Sequence, residues 1–259
     1  MPDSSVHVLV LGSGTSHGVP MIACDCAVCT SSDPRDKRTR PSVIIRYGET
    51  SLLVDTTPEL RIQCLTHAIS RVSAVLYTHY HVDHVTGLDD LRRFNWLQGG
   101  PLPVYAANDT LVRIRQMFPY VFDPENAYPS AVPNLRTHEI GGPFEIGGRT
   151  ITPIPLMHGK LPVLGFRVGN FAYCTDVNYI PPDSWPLLRG LDVLILDALR
   201  KREHPTHFNL TQAVSHARQI GARRTVFTHI AHELGHAETN AGLPAGMELA
   251  YDGMTLEST

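Results

Sequence analysis

The sequence predicts an α/β fold: a four-layer αβ/βα sandwich with two β-sheets face to face and helices on both outer surfaces. Three features point there. Short apolar, β-branched runs recur along the 259 residues, each bounded by Gly, Pro, Asn or Asp, as strands are. Strands dominate early in each half and helical patterns follow them, as they do when helices cover sheets. No linker, repeat or low-complexity tract interrupts the chain, so one core can serve all of it. A single domain over 1–259 is expected, with two half-units meeting near 129–137.

Taken in order, strands are expected over 6–11, which stops at Gly12, over 42–47, between Pro41 and Gly48, and over 51–55, ending on Asp55. A helical pattern over 58–68 follows. Strand 74–78 leads into a histidine-rich turn, with a helix over 87–98 behind it. Strand 103–106 begins at Pro103 and is followed by helix 108–117. The second half opens with strands over 150–155, 165–168 and 171–175, punctuated by Gly148, Gly169 and Asn170. A short helical stretch over 182–189, strand 193–197, helix 210–220 and strand 225–228 complete the series. Helix 210–220 is the best delimited, because Asn209 can cap its start and Gly221 can stop it.

Composition excludes several function classes. Hydrophobic residues at 42% and charged residues at 18% are ordinary for a globular protein. No segment approaches the roughly 20 apolar residues that span a bilayer, so no membrane partner is expected. The first residues lack a basic leader region, and the apolar run over 8–11 is too short for a signal peptide. A formal charge of -3 and a pI near 6.5 supply no basic field for nucleic acid. A small phosphorylated substrate remains compatible, because metal ions can supply positive charge locally.

The 14 histidines are clustered rather than scattered. The apolar strand 74–78 runs into His79-Tyr-His81-Val-Asp83-His84, which places four ligand-type side chains in one turn at a strand's C-terminal end. That is where chemistry collects in open α/β sheets. A lone histidine there is usually a satisfied turn residue, whereas three with an aspartate are a metal site. His158, Asp176 and His229 each follow a later apolar run, and loops after parallel neighbouring strands are expected to bring them to the same rim. Imidazole and carboxylate suit Zn, Mn or Fe, not an Mg cage.

There are five cysteines, and three of them form Cys24-x-Cys26-x-x-Cys29. An odd count with that spacing reads as metal binding in a reducing compartment, so a cytoplasmic location is expected. His232 is the expected fourth ligand of a closed, structural zinc site. His232-Glu-Leu-Gly-His236 also satisfies H-E-x-x-H, but that motif works only on a continuous helix. Here a strand-like run precedes it and Gly235 interrupts it, so the protease reading is rejected.

The ligand series resembles the metallo-β-lactamase-fold hydrolases, whose signature is H-x-H-x-D-H with a distant His, a shared Asp and a last His. The resemblance implies that His79, His81 and His158 hold one metal and Asp83, His84 and His229 the other, with Asp176 bridging them. Asp55 matches a carboxylate that orients a ligand histidine in that fold. The cysteine triplet, Gly18-Val-Pro20, Thr78–Gly87, Pro155–Lys160, Leu243-Pro-Ala-Gly246 and Tyr251-Asp-Gly253 narrow the likeness. The chain is similar to the phosphoribosyl 1,2-cyclic phosphate phosphodiesterase family of carbon–phosphorus lyase pathways. That likeness implies a cyclic phosphodiester opened to a monoester, two active-site metals (Mn or Zn), one structural Zn and a homodimer.

His207 matches a family histidine that protonates the leaving oxygen, with Asp197 behind it to hold the right tautomer. Asp83 is expected both to hold metal and to take the nucleophile's proton. The glycine-rich stretch from Gly12 is neither a P-loop nor a dinucleotide fingerprint, and reads as a tight turn near the site. Ribonuclease Z shares much of the site but needs a basic surface and a protruding arm, and neither is seen. Pyrroloquinoline quinone B protein, a binding protein with a similar cysteine triplet, has an incomplete metal set, whereas all seven positions are filled here. His204 and the remaining histidines read as ordinary surface or core residues.

Overall fold

The computed structural model describes the chain apart from residues 1–4, 124 and 126–130. Part of the expected junction near 129–137 therefore lies outside the described residues. The first sheet contains β1 (Val6–Gly12), β2 (Ser42–Tyr47), β3 (Thr50–Val54), β4 (Ala74–Leu76), β5 (Leu102–Ala106) and β6 (Leu135–Glu139). The second contains β7 (Phe144–Ile146), β8 (Arg149–His158), β9 (Leu161–Val168), β10 (Phe171–Cys174), β11 (Val193–Asp197), β12 (Arg224–Thr228) and β13 (Met247–Leu249). A last strand, β14 (Thr255–Ser258), returns to the first sheet and pairs antiparallel with β1.

Each half follows one scheme. Strands β1 to β3 are antiparallel and β3 to β6 are parallel, while β7 to β10 are antiparallel and β10 to β13 are parallel. Alternation along the strands sorts side chains between two apolar layers. In β2, Val43 and Ile45 belong to one large buried cluster with Phe166, Phe171 and Ile195 of the second sheet. Ile44 belongs instead to the layer beneath the helices, with Leu60, Leu88, Leu91 and Phe94.

The helices are α1 (Leu60–Thr66), α2 (Val82–Val85), α3 (Arg92–Gln98), α4 (Asn108–Met117), α5 (Pro119–Phe122), α6 (Leu210–Ile220) and α7 (His236–Gly242). Helix α6 has its Asn209 cap in a reciprocal box with Gln212, and Gly221 ends it at φ +74°. No helix among the described residues is long and apolar enough to cross a membrane.

Three expectations need correction. The single helix over 87–98 is a 3-10 turn, Thr86–Leu91, followed by α3. The chain passes so close to Thr57 at Gly87 that a Cβ there would stand 2.0 Å from its carbonyl. The stretch 182–189 is two 3-10 turns, because Pro186 supplies no N–H to continue a helix. Strands β6, β7, β13 and β14 were not expected at all; all have five residues or fewer, and none is wholly buried.

Candidate metal centres

The candidate site lies along one edge, where the parallel strands end. After β4, Thr78 and His79 lead to His81, which stands at the N-cap of α2, and Asp83 and His84 lie within that single turn. Asp55 follows β3, Asp176 lies just beyond β10, Asp197 ends β11 and His229 follows β12. His158 ends β8, and here the strand relationship differs from expectation. Strand β8 reaches β10 through two antiparallel steps by way of β9. It therefore runs in the same direction as β10, which brings His158 to the common rim.

Asp55, Asp176 and His229 adopt φ of +64°, +54° and +60°. Non-glycine residues in this left-handed region are strained, and such strain concentrates at functional sites. In each case the backbone turns sharply off a strand end so that the side chain points into the cluster.

His79, His81, His158 and Asp176 offer ligand atoms within 4.8 Å of one another, as do Asp83, His84 and His229. Asp176 stands between the two groups. Its Oδ2 is 3.2 Å from His84 Nε2 and its Oδ1 is 3.3 Å from His229 Nε2. Oδ1 also lies 3.9 Å from His79 Nε2 and 4.0 Å from His158 Nε2. Asp83 Oδ2 is 3.4 Å and 3.5 Å from the Nε2 atoms of His84 and His229. Four of these inward atoms, His79 Nε2, His84 Nε2, His229 Nε2 and Asp83 Oδ2, are buried with no hydrogen-bond partner. Buried orphans are rare and costly, and a shared pair of divalent cations would satisfy them together. The donor set fits such ions.

Hydrogen bonds behind the cluster set the imidazole tautomers. His84 Nδ1 donates to Asp55 Oδ2 at 2.7 Å, and Asp55 also accepts from the Thr78 backbone N–H and hydroxyl. The Thr78 hydroxyl in turn accepts from His79 Nδ1 at 2.9 Å. His158 Nδ1 donates to the Thr206 carbonyl at 2.7 Å. Each ring therefore presents the Nε2 lone pair to the centre, as metal ligands require.

Burial depresses the pKa of His79 and His81, and brings His158 down to about 4. These rings are held in the neutral, ligating form. For His84 and His229 burial acts in the same sense but is outweighed by the Asp176 and Asp83 carboxylates, which raise His229 to about 9. For Asp176, burial is outweighed by His229 and His84, and the carboxyl stays ionised. The pocket thus attracts positive charge at its centre.

His207 borders this cluster. Its Nδ1 is 3.0 Å from Asp197 Oδ1, and the other oxygen of Asp197 accepts from the Phe208 backbone N–H. Its Nε2 points inward, 3.9 Å from Asp176 Oδ1. The ring lies against those of His158 and His229, with both centroid distances 4.5 Å.

A second group stands beside the first. His232 Nδ1 lies 3.2, 3.3 and 3.6 Å from the Sγ atoms of Cys24, Cys26 and Cys29. The backbone N–H of Cys29 helps lower the Cys26 thiol to about 6, while burial pushes Cys29 up to about 11. The four side chains could hold one further cation. His236, the other histidine of the H-E-x-x-H match, is the first residue of α7 and belongs to neither group.

Sequence reasoning missed what joins the two groups. The glycine-rich stretch is a bridge rather than a simple turn, since Gly14 pairs with Ile230 and Ser13 and Thr15 bond to that same residue. Asp252 accepts four hydrogen bonds from the backbone N–H and hydroxyl groups of Ser13 and Thr39. The buried guanidinium of Arg38 pairs with Asp36 and donates to the carbonyls of Ala231 and Leu234. Neither Asp252 nor Arg38 lies in a ligand-type cluster of the sequence. Only the match at Tyr251-Asp-Gly253 drew attention to the region.

Comparisons with known proteins agree with this fold. Residues 50–230 match the β-lactamase superfamily domain. A diphosphatase of the PhnP family, known from its crystal structure, superposes with a TM-score of 0.92 at 46% identity, over 98% of this chain and 97% of that one. Zinc-bound PqqB from Methylobacterium extorquens gives a TM-score of 0.80 at 24% identity, over 96% and 99% of the chains, a likeness of fold. An octanoyltransferase of Porphyromonas gingivalis is 40% identical over 251 residues, covering 95% of this chain and 50% of that protein. The chain thus spans about half the length of the curated relatives it first matches.

Proposed function

The chain belongs to the β-lactamase superfamily and within it to the PhnP family, and from that premise we propose that it is a dinuclear-metal phosphodiesterase acting on a small cyclic phosphodiester. The phosphoribosyl 1,2-cyclic phosphate type is the substrate proposed, opened to a phosphomonoester. One observation carries the reading. A histidine backed by a buried carboxylate, His207 on Asp197, stands at the edge of a seven-residue ligand set with its free nitrogen directed inward.

His79, His81 and His158 would hold one cation and Asp83, His84 and His229 the other, with Asp176 shared. Mn or Zn suits this donor set, and a Zn ion suits the three cysteines with His232. Bound there, the pair supplies Lewis acidity to the phosphate oxygens and a water made nucleophilic at neutral pH. Asp83, standing among the ligand candidates, would accept that water's proton on the carboxylate oxygen left free of metal. His207 is placed to protonate the departing alkoxide from Nε2. Burial and the charge of His229 hold its pKa down to about 3 in the metal-free chain. Burial raises the Asp197 carboxyl well above its ordinary range, and a phosphodiester anion near Nε2 would favour the protonated ring. The diphosphatase relative is compatible with this arrangement, because a diphosphate and a cyclic diester each present phosphorus with an oxygen leaving group.

An assay of the Mn- or Zn-reconstituted protein tests the reading. The substrates are a five-membered cyclic phosphate, a linear diester, a diphosphate diester, precursor tRNA and a thioester. Highest kcat/KM is expected for the cyclic phosphate. Preference for linear diesters or tRNA would favour ribonuclease Z-like chemistry. No turnover with either metal would favour a binding role like that of pyrroloquinoline quinone B protein.

A further inference from the structure

The loop between β11 and α6 carries His207 at its inner end and His204 three residues earlier. Residues 201–203 are exposed, His207 is buried, and His204 is half-buried between them. The two rings have centroids 5.1 Å apart and are tilted by 51°. His204 therefore lies beside His207 at the more exposed end of the loop. It belongs to none of the ligand groups among the described residues.

The orientation of His204 is set locally. Its Nδ1 accepts from the Thr206 backbone N–H at 3.3 Å, and the Thr206 hydroxyl lies 3.2 Å away. Burial lowers its pKa, and the charges of His207 and Arg200 act in the same sense, so the ring is neutral. A neutral imidazole whose Nδ1 accepts carries its proton on Nε2. The result is a second N–H donor beside His207. Thr206 also holds His158 through its carbonyl, so the placement of His204 is tied to that of the site.

We propose that His204 is a specificity-determining residue whose Nε2–H binds a hydroxyl on the carbon next to the one that carries the leaving oxygen. The enzyme then favours phosphodiesters of polyhydroxylated, sugar-like alcohols. The proposal rests on reading His207 as the group that serves the leaving oxygen. Neighbouring rings at this separation can each reach an acceptor at about 2.7–3.2 Å when the two oxygens sit on adjacent carbons. A simple alkyl ester occupies the His207 position alone and leaves the His204 donor to water.

Calorimetric titration of the zinc-loaded protein tests this with glycerol 1-phosphate and propane-1,2-diol 1-phosphate, the ring-opened products of 1,2-cyclic phosphates whose leaving oxygen is the C2 hydroxyl and which differ only in the hydroxyl on C3. Wild type should bind the glycerol ester about three- to tenfold more tightly, the span of one neutral hydrogen bond. His204→Phe should erase that preference while binding the propanediol ester as before, and His204→Gln, which keeps a donor, should restore part of it. Equal wild-type affinity for the two esters, or an equal loss of both in His204→Phe, overturns the proposal. Binding is read without turnover. A protein that discriminates the esters yet hydrolyses no phosphodiester overturns the catalytic reading and leaves the role of His204 standing.

Discussion

At the scale of single residues, the chemistry depends on which nitrogen of each ring is free. Asp55 and Thr78 fix His84 and His79, the Thr206 carbonyl fixes His158, and Asp197 fixes His207. Replacing His207 by Ala should leave the metal content unchanged. It should lower kcat by about 10²–10⁴ for an alkyl phosphodiester, the usual contribution of a general acid. With bis(p-nitrophenyl) phosphate, whose leaving group needs no proton, the loss should be far smaller. Parallel kinetics on the two esters check this, and equal losses on both would remove His207 from the acid role. The ligand candidates were legible in the sequence because four of them are contiguous and the rest each follow an apolar run. Thr78 and Thr206 were not, since a threonine hydroxyl or a loop carbonyl acquires its role only from what folds against it.

Between elements, the turns matter more than the strands. The segment from His229 to His232 carries one ligand candidate of each group. It is held by Gly14 on one side, Leu199 on another and Arg38 beneath. At Gly12 the chains approach so closely that a Cβ would meet the Arg40 carbonyl at 1.9 Å. A metal held by the cysteines would therefore brace the loop that carries His229. Cys26→Ser should bind one equivalent less zinc, melt at a lower temperature and lose part of its activity as His229 becomes less firmly placed. Metal analysis and thermal melts check this, and an unchanged zinc content and melting point would remove the bracing role. Helix α6 and strand β2 were readable to the residue because the Asn209 cap, Gly221, Pro41 and Gly48 delimit them, and α4 because its periodic pattern stops just before Pro119. Strands β6, β7, β13 and β14 depend on tertiary pairing, and their short, partly polar segments carry no local signal.

Across the whole molecule, two halves with the same antiparallel-then-parallel scheme face each other and deliver their strand ends to one edge. Ligand candidates as far apart in sequence as His79 and His229 meet there, and β14 returns to pair with β1 beside the first half. The sandwich was legible from the spacing of apolar runs. The common rim was legible only in outline, since the antiparallel path that carries His158 to it is a matter of topology. Anomalous scattering from crystals of the metal-reconstituted protein tests the central claim most directly. Three peaks are predicted: two about 3.5–4 Å apart flanking Asp176, and one among Cys24, Cys26, Cys29 and His232. A lone peak at the cysteines, with no density beside Asp176, would contradict the account.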